Sequence, residues 1–128
     1  MVPLCEKKDV GMIPWSPIGA GYLARPYEQD DATTRGEHET EIGRPYRKGG
    51  GEEINRRVEE LAEEKGVEMA QIALRWVAGK DVVDAPIVGT SSVDHLEDAV
   101  EALDIDLSDS DIEWLEAPYE PVRVSGHE

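Results

Sequence analysis

Residues 85–96, APIVGTSSVDHL, constrain this chain more than any other stretch, because an apolar segment too short for a helix runs straight into a helix start. Pro86, Ile87 and Val88 form the apolar run, and Gly89 lets the backbone turn without a Cβ penalty. Thr90, Ser91 and Ser92 then offer hydroxyls and free amides at a helix N-terminus, where unpaired N–H groups and the helix dipole both favour an anion. Such a junction has two readings: a phosphate-binding turn, or an ordinary helix start capped by serine.

A second segment of the same grammar lies near the start. Residues 12–23, MIPWSPIGAGYL, place an apolar strand before a glycine-rich loop. Residues 10–15 and 85–88 are the two expected strands, and Pro14 and Pro17 end regular structure after the first. Residues 2–8 read as the last turns of a helix, with Asp9 and Gly11 marking the turn that follows. Residues 22–51 form a polar stretch too long for an ordinary connector, expected to be functional or mobile, and closed by the flexible joint Gly49–Gly51.

Helical order is expected from about Glu52, where Ile54, Val58 and Leu61 share one face, up to a natural stop at Gly66. A second helix over 69–78 turns Ile72, Ala73, Trp76 and Val77 to one side, and a third uses Val93, Leu96, Val100 and Leu103. A fourth starts at Ser108, with Asp111 completing a capping box and Leu107 and Ile112 a hydrophobic staple, and stops at Pro118. Alternating strands and helices imply a parallel α/β fold, although two strands neither close a barrel nor make a stable open sheet.

Charge narrows the partners. Twenty-nine acidic against 13 basic residues give a formal charge of −16, which argues against nucleic acid or an anionic membrane as a partner. The acids are spread through the apparent helices, as in EEINRRVEELAEEK, so a disordered acidic tail does not account for them. Adaptation to high ionic strength is the expectation, since salt screens the repulsion. Without a signal peptide or a membrane-length apolar run, the expected location is the cytoplasm. The single cysteine, Cys5, makes no disulfide framework, and His38, His95 and His127 have no metal-ligand spacing.

Taken together, WSPxxxGxL at Trp15, DATTR at Asp31, EKGVEMAQIALRWV at Glu64, PIVGxS at Pro86 and the ending PYEPVRVSGH occur in an order that resembles the C-terminal part of an aldo-keto reductase. The resemblance covers nearly the whole chain. It implies a C-terminal fragment of a (β/α)8 TIM barrel, with the last two strands, their helices, the C-terminal helix and the tail, residues 1–128 forming one partial reductase domain. Met1 then falls inside the helix before the seventh strand. The expected origin is an interrupted reading frame or a barrel whose other part is encoded elsewhere.

The resemblance also assigns roles. The family's acid-base set of Tyr, Asp, Lys and His belongs to the first part of the barrel, so no catalytic residue is assigned here, and Tyr22, Tyr27, Tyr46 and Tyr119 match none of those positions. The loop after the seventh strand implies pyrophosphate contacts from Trp15, Ser16, Pro17, Ile18, Gly19, Gly21 and Leu23. The turn after the eighth implies ribose and 2′-phosphate contacts from Val88, Gly89, Thr90, Ser91, Ser92 and His95, with Asp98 and Ala99 at the adenine edge. Arg35 in the long loop is a further phosphate candidate, and Arg44, Arg47 and Lys48 form the one basic cluster. The implied cofactor is NADP, with NAD as the alternative because Ser92 stands where many relatives carry a cation. Two functions stay open: the cofactor-binding part of a carbonyl oxidoreductase, working with a complementary N-terminal barrel half or by self-association, or a non-catalytic acidic interaction module.

Overall fold

The computed structural model describes residues 1–28 and 44–122; Arg35, His38, the DATTR motif, His127 and the last residues of the tail lie outside them. Among the described residues five α-helices form: α1 (Val2–Lys8), α2 (Gly51–Lys65), α3 (Met69–Ala78), α4 (Val93–Glu101) and α5 (Asp109–Glu116). Short 3-10 turns occupy Gly19–Gly21, Arg44–Arg47 and Ala102–Asp104.

The core is helical. Val58, Leu61 and Ala62 of α2 meet Met69 and Ile72 of α3 and Leu115 of α5, and Ile72 is fully enclosed. The expected face of α2 is therefore the buried one, and Gly66 ends that helix in the left-handed conformation at φ 68°, its amide reaching the carbonyls of Ala62 and Glu63. Polar clasps hold the layers. Arg57 Nη1 donates to the Trp114 carbonyl (2.5 Å) and the guanidinium lies 5.1 Å from that indole's centre, joining α2 to α5. Trp76 Nε1 (2.9 Å) and Lys80 Nζ both donate to Glu116 Oε1, tying the end of α3 to the end of α5. At the start of α5 the expected capping box is present: Ser108 Oγ accepts from the Asp111 amide (3.2 Å) and Asp111 Oδ2 from the Ser108 amide (2.9 Å).

The two expected strands do not form as strands. Their segments run side by side and parallel, but only as two isolated bridges, Met12 with Val83 and Trp15 with Ile87. The Met12 amide donates to Val82 O (2.9 Å), the Asp84 amide to Met12 O (2.9 Å), and the Ile87 amide to Pro14 O (2.8 Å). In the register of the first bridge the next two donors are Pro14 and Pro86, neither of which has an N–H. Pairing therefore lapses and resumes one residue out of step, and the second segment begins pairing at Val82 rather than at Ala85.

Two other expectations shift. The third expected helix splits into α4 and the turn Ala102–Asp104, and its apolar face is left bare, with Val93, Leu96, Val100 and Leu103 between 51% and 69% exposed. Gly49–Gly51 is closely packed rather than a loose joint: a Cβ on the buried Gly51 would stand 1.7 Å from the Tyr46 carbonyl. Only glycine lets α2 start that close to the neighbouring turn.

Candidate functional site

The first candidate turn leaves the strand segment at Trp15 and folds back on itself within eight residues. The Gly19 amide donates to Ser16 O (2.9 Å), the Tyr22 amide to Gly19 O (3.1 Å) and the Leu23 amide to Ile18 O (3.1 Å). Ser16, Gly19, Ala20 and Gly21 all have positive φ, at 53°, 60°, 56° and 95°. Two of these residues carry side chains, so the loop stores strain that its surroundings must hold. At Gly21 only glycine is at ease, because a Cβ there would also stand 2.6 Å from Arg25 Nη2. Among the described residues the amides of Ile18 and Ala20 take no backbone carbonyl. Trp15 is 76% exposed and Leu23 packs on the helical core, so the turn has an open end and an anchored end.

The second candidate turn is held more lightly. Val88, Gly89, Thr90 and Ser91 are exposed, and Ser92 is half-buried. Ser92 occupies the N-cap of α4, yet its hydroxyl makes no capping bond. Thr90 supplies the contact instead, its Oγ1 accepting from the Ser92 amide at 3.1 Å and lying 3.0 Å from the Ser92 carbonyl. The expected Ser cap is thus a Thr-held turn, and the first-turn amides of Val93, Asp94 and His95 take no backbone carbonyl among the described residues. His95 is exposed on α4, while Asp98 and Ala99 are half-buried.

The bridge between Trp15 and Ile87 brings the two turns together, because both begin just after it and the segments run parallel. Trp15 to Leu23 and Val88 to Ser92 therefore emerge at the same end of the pair. Arg35 lies outside the described residues. Of the basic cluster, Arg47 lies 5.9 Å from the Tyr27 ring centre. Tyr22 is buried, stacked on Tyr46 (centroids 6.2 Å apart) and edge-on to Tyr27 (6.5 Å). Among the described residues no group of three or more His, Cys, Asp or Glu is placed to hold a metal ion.

Two buried polar residues that the sequence reading passed over support these turns. Asn55, fully buried on α2, donates through Nδ2 to the carbonyls of Tyr22 (2.6 Å) and Arg25 (3.0 Å). Gln71, buried on α3, accepts from the Glu68 amide (3.0 Å) through Oε1 and donates through Nε2 to Asp98 O (3.0 Å), fastening α4 to α3. One signal was available for Asn55: it falls in line with Val58 and Ala62 on a stripe that is otherwise apolar.

The titrating groups whose acidity is clearly shifted stand away from these turns. Asp111 is held below its ordinary value mainly by the Ser108 amide, with Lys65 adding to it. Glu116 is lowered chiefly by its bond from Lys80 and also by Trp76. Glu59 is raised by burial and by its neighbours Glu28 and Glu63.

Helices that alternate along the chain with parallel segments whose turns share one end fit part of a (β/α) barrel, which places its sites at that end. The Aldo/keto reductase family profile matches residues 1–120, and the chain belongs to this family. A Schizosaccharomyces pombe protein named provisionally as an aryl-alcohol dehydrogenase is 41% identical over 131 residues, covering 98% of this chain and 35% of its own length. Versiconal hemiacetal acetate reductase of Aspergillus parasiticus is 37% identical over 127 residues, covering 97% of this chain and 36% of that protein. The crystal structure of a thermostable aldo-keto reductase, Tm1743, solved with the inhibitor epalrestat, superposes with a TM-score of 0.62 at 23% identity, over 91% of this chain and 32% of that one. The chain spans about a third of the length of the curated relatives it matches. No helix among the described residues is long and apolar enough to cross a membrane.

Proposed function

We propose that this chain contributes the dinucleotide-binding part of an oxidoreductase that passes hydride between NAD(P)H and a carbonyl compound, and that it brings no acid-base residue of its own. The observation that carries this reading is the parallel bridge of Trp15 with Ile87, from which both candidate turns leave at one end. When bound, the nicotinamide supplies the hydride. The chain's own task is to hold the dinucleotide: unengaged amides at Ile18 and Ala20 suit a diphosphate, and those at the start of α4 suit a second anionic or hydroxyl group. Trp15 offers an exposed flat face beside the first turn.

The residues fit a diphosphate better than a 2′-phosphate. α4 carries Asp94 in its first turn and has no Lys or Arg along its length. NADP therefore relies on Ser92, Thr90 and His95, and NAD is a close competitor. The carbonyl reaction itself is assigned to residues of a complementary barrel part, so the chain alone should oxidise neither NADPH nor NADH with any aldehyde.

An amide-resolved NMR titration with NADPH and with NADH tests the reading. Shifts should gather at residues 16–23 and 88–95, with weak affinity, since half a cleft leaves the nicotinamide unsupported. Ser92→Arg should favour NADPH over NADH by about tenfold through bidentate contact with the 2′-phosphate. Turnover by the chain alone, or shifts elsewhere than these turns, overturns the assignment; no shift with either dinucleotide puts an acidic interaction module in its place.

A further inference from the structure

We propose that Asn55 is the positioning residue of the first turn, the side chain that presents its strained backbone to the diphosphate; this rests on the dinucleotide reading above. The geometry is specific. One amide nitrogen donates to two carbonyls three residues apart, Tyr22 O at 2.6 Å and Arg25 O at 3.0 Å, from a residue with no exposed surface. The amide has only one workable orientation, because the flipped form would set Oδ1 against two carbonyl oxygens.

The pinned segment adjoins the positive-φ residues directly. Tyr22 follows Gly21, its amide donates to Gly19 O, and the Leu23 amide donates to Ile18 O, so fixing residues 22–25 fixes the far limb of the turn. Strain of this kind persists only where surrounding structure over-determines it. Asn55 supplies that constraint at a cost, since its Oδ1 takes no hydrogen-bond partner among the described residues. A buried orphan acceptor is unfavourable for folding, and an apolar residue in α2 would avoid it. What no apolar residue provides is two donors aimed at the base of the turn.

Amide hydrogen exchange on Asn55→Ala, with Ile72→Val as a control that loosens the core without touching the turn, tests this. In Asn55→Ala the amides of Gly21, Tyr22, Leu23 and Ala24 should exchange at least tenfold faster than in the unaltered protein, while those of residues 72–76 change less than threefold. NADPH should bind Asn55→Ala at least tenfold more weakly and Ile72→Val within twofold of the unaltered protein. Equal acceleration in the turn and in α3, or equal loss of affinity in both variants, reduces Asn55 to a generic core residue and overturns the proposal. Should Asn55→Ala fail to fold, the unaltered protein still decides: the Asn55 side-chain amide protons should exchange at least 100-fold more slowly than a free side-chain amide, and rapid exchange refutes the clamp. If the exchange results hold while NADPH leaves the unaltered turn unmoved, the clamp stands and the dinucleotide reading, with the positioning role built on it, falls.

Discussion

Helices α3 and α4 carry similar amphipathic patterns and meet opposite fates. α3 buries Met69, Ile72, Ala73 and Leu74 against its neighbours, whereas α4 turns Val93, Leu96 and Val100 to solvent. Both helices read as amphipathic in the sequence, although α3 buries Met69 and Leu74 beside the expected Ile72 and Ala73 and leaves Trp76 and Val77 half-buried; periodicity says nothing of what covers a face. α4 is held on its other side by Gln71 reaching Asp98 O, a polar fastening that no apolar pattern announces. The difference suits a piece of a barrel in which α3 finds its partners within the chain and α4 does not.

The largest effect should fall on the covered helix. Ile72→Ala empties a fully enclosed site among Val58, Leu61 and Leu115. It should cost about 2–5 kcal/mol of folding free energy, enough to unfold a marginal domain, read from a denaturant midpoint. A loss under about 1 kcal/mol would mean that the α2–α3 interface is loose, and the contrast with α4 would fade.

The bare helix should respond the other way. Leu96→Gln with Val100→Gln removes two side chains that are 51% and 61% exposed, so folding stability should move by less than about 1 kcal/mol. Association should change far more. The unaltered chain is expected to self-associate in sedimentation runs once salt screens its charge of −16, and the double variant to stay monomeric at the same concentration. A monomer in both cases would show that the α4 face needs no cover.

Legibility in the sequence divides along the same line. The helix positions of α2, α3 and α5, the stop at Gly66 and the Ser108–Asp111 box were readable because each depends on neighbours within one or two turns. The strand pairing was readable in direction but not in register, since the slip depends on Pro14 and Pro86 facing the same gap in a ladder formed from distant segments. At the candidate site the two turns were visible through their glycines and hydroxyls, but the bonds that hold them were not. A serine cap was expected at the start of α4 and Thr90 holds the turn instead; Asn55 and Gln71 act across 30 and 27 residues of sequence. An isolated amide side chain on a helix gives little hint of a carbonyl so far along the chain.

The smallest expected effect concerns acid. Asp111 and Glu116 have carboxyl groups held below their ordinary values of 3.8 and 4.5, Asp111 chiefly by the Ser108 amide and Glu116 chiefly by Lys80. A group lowered in the folded state binds its proton more readily when unfolded, so its stabilisation is present above the unfolded value and is lost as pH falls through the folded one. Glu59 runs opposite: raised by burial and by Glu28 and Glu63, it favours the folded state below 4.5, and that contribution disappears as pH rises through its folded value. On acidification from neutrality, relief at Glu59 should therefore come first and the losses at Asp111 and Glu116 later, below about pH 4. Replacing both lowered groups, as Asp111→Asn with Glu116→Gln, should flatten the acid limb of a stability curve at a cost near neutrality of about 1 kcal/mol, most of it from the α5 cap, because the Lys80–Glu116 pair is partly solvated. Glu59→Gln should instead raise stability slightly at pH 7 and leave the acid limb in place. An acid limb unchanged by the double replacement would shift the origin of acid unfolding to the many exposed carboxylates, and the α5 clasp to α2 and α3 would then count as packing alone.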